Sequence, residues 1–156
     1  MDVREAPLAE LDPATLYRLL ALRSEVFVVE QDCVYLDLDG RDLEPDARQL
    51  WIEEDGAVLA TLRLLVDDER TMRIGRVATA RAARGRRLAA RLMERALELS
   101  AGREVVLGAQ SYLETWYAGF GFVRDGAKYV EDGIPHVPMR RVSERAGSRG
   151  PSTPTA

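Results

Sequence analysis

The segment 74–93, IGRVATARAARGRRLAARLM, carries the clearest binding chemistry in the sequence. It places an apolar strand pattern, a short turn and an amphipathic helix pattern in immediate succession. The first turn of a helix presents free backbone N–H groups and the positive end of the helix dipole, which together bind phosphate. Gly85 allows a ligand to approach the backbone closely. Positive charge is added by Arg84, Arg86 and Arg87. The segment therefore predicts a phosphate-binding helix start.

Candidate groups for proton transfer and acceptor binding lie elsewhere in the chain. His136 is the only histidine, and a free imidazole titrates near neutral pH as a general base should. A lone histidine is more often a packing or surface residue. Arg23 and Glu30 are seven residues apart, on the apolar side of a predicted helix that also carries Phe27. These residues could line an acceptor pocket, in which Glu30 would attract or deprotonate an ammonium. Alternatively, Arg23 and Glu30 could form a buried ion pair that pins the following loop.

Two further patterns do not support a site. Asp37, Asp39 and Asp42 have a spacing that resembles a calcium loop, but the required glycine and closing glutamate are not in place. Cys33 has no histidine or lysine beside it to lower its pKa, so an acyl-cysteine intermediate is not expected. We expect no metal cofactor.

The elements that must position these groups follow from periodicity and turn residues. An Asp-Pro pair at 12–13 begins a helix predicted over 13–29, and a loop composition follows over 31–47. Further helices are predicted over 86–100 and 113–119. Strands are predicted over 49–53, 57–66, 71–79, 104–109, 122–130 and 137–142. This order predicts an α+β or mixed α/β fold, with a central, mostly antiparallel sheet flanked by helices.

Length and charge limit the partners. The 156 residues suit one domain over 1–142, with a tail over 143–156 that we expect to be disordered. A formal net charge of -4 argues against nucleic acid, although nine arginines and one acid occur between 70 and 95. Aromatic residues do not alternate with those arginines. No apolar run is long enough for a membrane helix, and the first residues do not resemble a signal peptide. We expect a cytoplasmic protein without nucleic-acid or membrane partners.

The helix-opening segment resembles the pyrophosphate loop of the GNAT superfamily of N-acetyltransferases. That loop runs Arg or Gln, two residues, Gly, one residue, and Gly or Ala. Arg84, Arg87 and Ala89 occupy these positions here, so Arg87 stands where glycine is usual. The resemblance implies that this loop binds acetyl-CoA as a co-substrate. It also implies that backbone groups of the preceding strand, at Val77 and Thr79, contact the pantetheine arm.

A second stretch, 108–122, fits the family as well. GNAT proteins often show an Asn, six residues, a Tyr and then a Gly-Phe pair, and this chain has Gln110, Tyr117 and Gly121-Phe122 at that spacing. In the family the tyrosine lies near the CoA sulfur and can protonate the leaving thiolate, which makes Tyr117 the implied general acid. The implied CoA-binding residues are Val77, Ala78, Thr79, Arg84, Gly85, Arg86, Arg87, Leu88, Ala89 and Gln110.

A closer similarity is to the ElaA-like subgroup of GNAT proteins, and it spans about residues 16–142. It rests on LRSEVFVVEQDCVYLDLDGRD, GRVATARAARG, LGAQ and EDGIPHVPM. In that subgroup the residue at the middle glycine position is also often basic. The similarity implies direct acetyl transfer, in a ternary complex, to a small-molecule or peptide amine. The acidic stretch 30–54 favours a cationic acceptor, and the base is Glu30, His136 or a water chain. Dimerisation is common for this fold, so a homodimer is an open expectation.

Two alternatives remain at this point. Acyl-homoserine-lactone synthases share the fold, and their early Arg–Phe–acid pattern is similar to Arg23, Phe27 and the aspartates that follow. Their chains are usually longer, and the phosphate loop here fits CoA better. The other alternative is a non-catalytic CoA-binding module that has kept the fold.

Overall fold

The computed structural model describes residues 1–143, so nearly all of the tail predicted to be disordered lies outside the described residues. The strands are β1 (Arg4–Ala6), β2 (Arg48–Glu54), β3 (Ala57–Val66), β4 (Thr71–Thr79), β5 (Glu104–Gln110), β6 (Val123–Arg124), β7 (Tyr129–Glu131) and β8 (Ile134–Arg141). The α-helices are α1 (Pro13–Arg23), α2 (Leu88–Leu99) and α3 (Glu114–Ala118). A π-helix, Ser24–Glu30, continues α1. Within the described chain, no helix combines the length and apolar character needed to cross a bilayer.

The strands form one sheet in the hydrogen-bonded order β1-β2-β3-β4-β5-β8-β6, and β7 pairs with β8. The β1–β2, β2–β3, β5–β8, β6–β8 and β7–β8 pairs are antiparallel, whereas β4 and β5 are parallel. The predicted mixed α/β fold with a mostly antiparallel sheet is therefore confirmed. The β2–β3 turn has left-handed backbone at Asp55 and Gly56, as expected for a tight hairpin between twisted strands.

The chain forms two compact units, which are described separately. The first contains residues 1–65 and 74–96, and the second contains residues 66–73 and, of the described chain, residues 97–143. A core cluster of the first unit consists of Leu19, Leu22, Val26, Phe27, Trp51, Val58 and Ala78. In the second unit, β5 and β8 pair over six residues and bury Val105, Leu107, Ala109, Val137 and Met139.

Two predicted elements change for identifiable reasons, and one strand was not predicted. The helix predicted from residue 86 begins at Leu88, because Arg87 has a φ of 62°, which no helical residue adopts. The strand predicted over 122–130 is wrong as one element. It divides into β6 and β7 around Gly126, whose φ is 155°. The strand β1 was not predicted, since its three residues are too few for a period-two pattern to register.

A buried arginine pins the loop that follows the π-helix. Arg23 has no exposed surface, and its Nε donates to Asp37 Oδ2 at 3.0 Å while its Nη1 donates to Asp42 Oδ1 at 2.7 Å. Asp37 and Asp42 are themselves buried. Arg23 was predicted to bind the acceptor or to pair with Glu30 and pin the loop. In the structure it pins the loop through these two aspartates instead.

A second arginine extends the same network. Arg63, on β3, donates to both carboxylate oxygens of Asp39, at 2.8 and 2.7 Å, and to Asp42 at 3.3 Å. Gln49 Nε2 donates to Asp42 at 2.8 Å. Burial alone would raise the pKa of Asp42, but the hydrogen bond from Arg23 and the charges nearby hold that pKa below its ordinary value. The network therefore stays ionised inside the fold.

We expect Arg23→Gln to lower the free energy of unfolding by about 3–5 kcal/mol, because Asp37 and Asp42 would keep buried charge without their main partner. Urea unfolding measures the change. Arg41→Gln is the control, since it removes an exposed pair with Glu44 and should cost less than about 1 kcal/mol. Equal losses in the two variants would contradict a structural role for the buried network.

Asp39 should give part of this stability a dependence on pH. The hydrogen bond from Arg63 holds the pKa of Asp39 well below the ordinary value of 3.8. A depressed folded-state pKa adds stability that is complete above the unfolded value and is lost as the pH falls through the folded value. Wild type should therefore exceed Asp39→Asn in unfolding free energy at pH 6, and the difference should shrink below about pH 4. A difference that stays constant from pH 6 to pH 2 would contradict this.

Candidate active site

The loop before α2 is exposed and carries two left-handed residues. Residues 84–87 are exposed, while Ala83 on one side and Leu88 on the other are buried and anchor the loop. Gly85 has a φ of 85°, and an ideal Cβ placed there would meet no atom within 4 Å. Gly85 is therefore required by its backbone conformation and not by lack of space. Left-handed residues in a turn can direct successive N–H groups into one anion-binding concavity.

Arg87 also adopts a left-handed conformation, with a φ of 62°. This is the position at which the resemblance predicts glycine, and the backbone conformation gives the physical reason for that preference. A side chain in this conformation brings Cβ close to the backbone and costs about 1–2 kcal/mol. The loop predicted to bind phosphate therefore carries backbone strain at Arg87.

The end of β4 presents the predicted pantetheine-contacting residues. Ala78 is buried in the core cluster, and Val77 and Thr79 are half-buried on either side of it. Because side chains alternate along a strand, Val77 and Thr79 face away from that core. Arg76, just before them, has a φ of 52°. A left-handed residue inside a strand interrupts the regular ladder and can free neighbouring amides for a ligand.

Arg76 also ties this irregular strand position to the loop over 31–47. Its Nε lies 2.7 Å from Asp37 Oδ1, and its Nη2 donates to the Asp37 carbonyl at 3.0 Å. Its guanidinium lies 5.3 Å from the centre of the Tyr35 ring. The sequence did not predict the left-handed backbone of Arg76 or its contacts with Asp37, because a run of strand-forming residues gives no sign of a left-handed residue.

Glu30 lies at the end of the π-helix and contacts the phosphate loop. Its two carboxylate oxygens accept from Arg84 Nη1 and Nη2 at 2.6 Å each, and Arg81 lies 3.7 Å away. The hydrogen bond from Arg84 is the main reason that the pKa of Glu30 falls below its ordinary value. Phe27, three residues earlier, is buried in the core cluster. The structure thus brings Glu30 to Arg84, whereas Arg23 lies in the separate buried network.

His136 lies on β8 in the second unit. Its Nδ1 is 2.7 Å from the Ile134 carbonyl oxygen, which can only accept, so Nδ1 carries the proton. In the neutral ring, Nε2 then keeps a lone pair and can accept a proton. His136 is buried, stands opposite Gln110 in the β5–β8 pairing and stacks on Tyr129 at 5.4 Å. The structure therefore brings together two of the predicted site residues, His136 and Gln110.

Tyr129 was not among the predicted site residues. The sequence does contain a signal for a close contact at this place, which is Gly108 inside a predicted strand. A Cβ placed on Gly108 would clash with the Tyr129 hydroxyl, so this glycine leaves room for the ring that stacks on His136. An isolated glycine inside a strand often marks such a close approach. That signal at Gly108 was available in the sequence, but it does not identify the group that fills the space.

Tyr117 lies in α3 and is buried in an aromatic cluster. Its ring makes edge-on contacts with Trp116 at 4.9 Å and with Phe122 at 6.3 Å. Burial raises the pKa of Tyr117 far above its ordinary value. The hydroxyl therefore stays protonated throughout the physiological range, as a proton donor must.

The comparisons with known proteins agree with this geometry. The family model described as an acetyltransferase (GNAT) domain matches residues 24–143. The chain belongs to the GNAT acetyltransferase family. A UPF0039 protein of Mycobacterium tuberculosis is 50% identical over 136 residues, which are 85% of this chain and 87% of the relative. The family match supports an acetyltransferase enzyme.

Two solved structures are also similar to this GNAT protein. An acyl-CoA N-acyltransferase from Pseudomonas aeruginosa is 45% identical, with a TM-score of 0.86 over 90% of this chain and 99% of that one. Escherichia coli ElaA is 39% identical, with a TM-score of 0.84 over 90% and 98% of the two chains. The ElaA-like assignment made from the sequence is therefore confirmed. Among residues 1–143, no group of three or more His, Cys, Asp or Glu side chains is placed to hold a metal.

The left-handed conformation of Arg87 predicts that glycine at this position stabilises the protein. Arg87→Gly should raise the free energy of unfolding by about 0.5–1 kcal/mol, because relief of the left-handed strain exceeds the added chain entropy. Arg86→Gly is the matched control. It removes the same charge from a neighbouring residue that is not among those with positive φ, so it should lower the stability. Urea or thermal unfolding separates the two, and a loss of stability in both variants would contradict the strain at Arg87.

Proposed function

We propose that this GNAT enzyme transfers an acetyl group from acetyl-CoA to a primary amine in a single ternary complex. Family and fold support acyl transfer from an acyl-CoA to an amine. The observation that carries the assignment to this chain is the exposed loop over 84–87, with left-handed Gly85 and Arg87, directly before the 12-residue helix α2. This is the backbone form that a diphosphate needs.

The residues of the first unit fit coenzyme A as a co-substrate. Backbone N–H groups over 85–89 would bind the diphosphate, and the exposed side chains of Arg86 and Arg87 would add charge. Backbone groups of Val77 and Thr79 would hold the pantetheine arm, which is an extended amide chain suited to pairing with a strand. The family resemblance gives Gln110 as a further polar contact for coenzyme A.

The proposed chemistry is a direct displacement at the thioester. The deprotonated amine nitrogen attacks the carbonyl carbon, and backbone N–H groups near Val77 polarise the carbonyl oxygen. The carbon–sulfur bond then breaks, and the electron pair leaves with the thiolate of CoA. The Tyr117 hydroxyl gives its proton to that thiolate, and the nitrogen, which carries an excess proton after the attack, releases one that restores the Tyr117 hydroxyl. The products are an N-acetyl amine and free CoA, and the reaction needs no redox step.

His136 is the side chain best prepared to act as base. Its Nδ1 donates to the Ile134 carbonyl, which leaves Nε2 as the proton acceptor. Glu30 is less suited, because Arg84 and Arg81 stabilise its charged form and so weaken it as a base. A water molecule can carry the proton from the amine to His136 where the two are not in direct contact.

The acceptor we propose is a primary amine, which is an ammonium ion until it loses its proton. The acidic stretch 30–54 supports a cationic acceptor less than its sequence indicates, because several of its carboxylates already have arginine partners. These are Glu30, Asp37, Asp39, Asp42, Glu44 and Glu54. Small molecules and peptide N-termini therefore both belong in a screen.

The direct test combines CoA binding with a screen for acceptors. Calorimetry with coenzyme A should show one site per chain. Acetyl-CoA with a panel of amines, including polyamines, amino sugars and peptides, should release free thiol only when a suitable acceptor is present. Absence of CoA binding by the wild-type protein would overturn the proposal. Thiol release that does not depend on any amine would contradict transfer in a ternary complex.

Tyr117→Phe should lower kcat by about 100-fold, since a positioned general acid contributes roughly that factor, and should leave the Kd for acetyl-CoA unchanged. Steady-state kinetics with the best acceptor and calorimetry with acetyl-CoA measure the two quantities. Trp116→Phe is the control, because it changes the same aromatic cluster without removing a phenol. Equal kcat values for Tyr117→Phe and wild type would remove Tyr117 from the mechanism.

His136→Asn should lower kcat/KM at pH 7 by about 100-fold, because no imidazole Nε2 remains to take the proton of the amine. Steady-state kinetics with the best acceptor measures this. Glu30→Gln should keep kcat close to wild type at saturating acetyl-CoA. A loss of kcat in Glu30→Gln but not in His136→Asn would assign the base to Glu30.

A further inference from the structure

The guanidinium of Arg84 is committed on every nitrogen to groups of the protein itself. Nη1 and Nη2 donate to the two carboxylate oxygens of Glu30, at 2.6 Å each. Nε and Nη2 donate to the carbonyl oxygen of Thr79, at 3.1 and 3.0 Å. Arg84 was predicted to bind CoA phosphate, yet here it binds the last residue of β4 and the last residue of the π-helix.

These contacts join three segments whose relative positions matter for the proposed reaction: the end of β4, the loop over 84–87 and the end of the π-helix. Thr79 ends the strand proposed to hold the pantetheine arm, and Arg84 begins the exposed phosphate loop. Between them the chain makes a 3-10 turn over Arg81–Ala83. The Arg84 side chain reaches back across this turn and binds the Thr79 carbonyl, where the turn begins. Glu30, at the end of the π-helix, binds the same guanidinium. A paired, two-point contact between guanidinium and carboxylate fixes direction as well as distance.

We propose that Glu30 is a positioning residue for coenzyme A: through Arg84 it holds the amides of residues 85–89 in the geometry that binds the diphosphate. The inference rests on the proposed function, in which that loop binds CoA. It gives Glu30 a task other than proton transfer. It also assigns the phosphate contacts to the backbone and to Arg86 and Arg87, since Arg84 is already occupied.

Charge and positioning predict opposite effects when Glu30 is neutralised. A carboxylate beside an anion-binding loop repels phosphate, so its removal should tighten CoA binding if only charge matters. Removal of a group that holds the loop should weaken CoA binding, because the loop must then be ordered when the ligand binds. The direction of the change in Kd therefore distinguishes the two effects.

The chain offers a matched control in Glu54. This glutamate pairs with Arg86, which belongs to the same loop, but at longer distances of 3.3 and 3.5 Å. Both members of that pair are about as exposed as Arg84. Glu54→Gln removes one negative charge near the same loop without touching the link between Arg84 and Thr79. It therefore reports the loss of a carboxylate that pairs with an arginine of this loop other than Arg84.

The experiment is calorimetry with coenzyme A on the full-length protein. Glu30→Gln should raise the Kd about three- to five-fold, as expected for loss of a partly exposed ion pair. Glu54→Gln should leave the Kd within about two-fold of wild type or lower it. An unchanged or lower Kd in Glu30→Gln would overturn the positioning role while leaving the proposed function intact.

A double-mutant cycle adds an independent test. Arg84→Gln should raise the Kd for CoA by a factor similar to Glu30→Gln, and the double variant should be no weaker than the weaker single variant. A further loss in the double variant would show that Arg84 contacts CoA directly, which overturns this inference.

The outcome can be separated from failure of the proposed function. If wild type does not bind CoA at all, the proposed function fails. The link between Glu30 and the loop is then tested by hydrogen exchange at the backbone amides of residues 85–89. Exchange there should be faster in Glu30→Gln than in wild type and Glu54→Gln. Equal exchange rates in all three proteins would overturn the positioning role by itself.

Discussion

The charge of Arg23 is removed from water, and such a charge is tolerated only if carboxylates lie within hydrogen-bonding distance. This requirement decides where the loop after the π-helix runs, because Asp37 and Asp42 must meet the guanidinium. Arg63 and Arg76 then bind the remaining faces of the same acidic segment. The irregular residue of β4 and the loop are therefore fixed by one set of ion pairs. A segment with the composition of a flexible loop is thus tied to the fold by several ion pairs.

Most of the elements could be predicted because their signals are local. The cap at Asp12, the turn at Asp55-Gly56 and the apolar face of α2 each depend on residues a few positions apart. The positions that escaped prediction depend on tertiary contacts or on backbone torsions. Nothing in the sequence near Arg76 indicates a left-handed conformation, and at Arg87 the only signal is that the GNAT loop usually has glycine there. The exposed loop over 84–87 was predicted from its pattern, but the helix boundary that follows from Arg87 was not.

Electrostatic partners were the least predictable part of the candidate site. The sequence shows an acidic stretch and a basic stretch, and it is natural to assign each to a ligand of opposite charge. In the structure much of this charge is neutralised within the protein, as in the pairs of Glu30 with Arg84 and of Asp39 with Arg63. By contrast, the tautomer of His136 follows from one short contact with a carbonyl two residues away. Long-range pairing decides which charges remain for a substrate, and one sequence does not contain that information.

The π-helix after α1 has a consequence for how this region can change. In an α-helix seven residues complete almost two turns, so Arg23 and Glu30 would point in nearly the same direction. The wider π-turns, seen in the bond from Gln31 N–H to the Val26 carbonyl, send one charge into the interior and the other toward the phosphate loop. If the same seven residues adopted the α pitch, Glu30 would turn to the side of Arg23 and away from Arg84. The pitch of this segment therefore decides which arginine each acidic residue can meet.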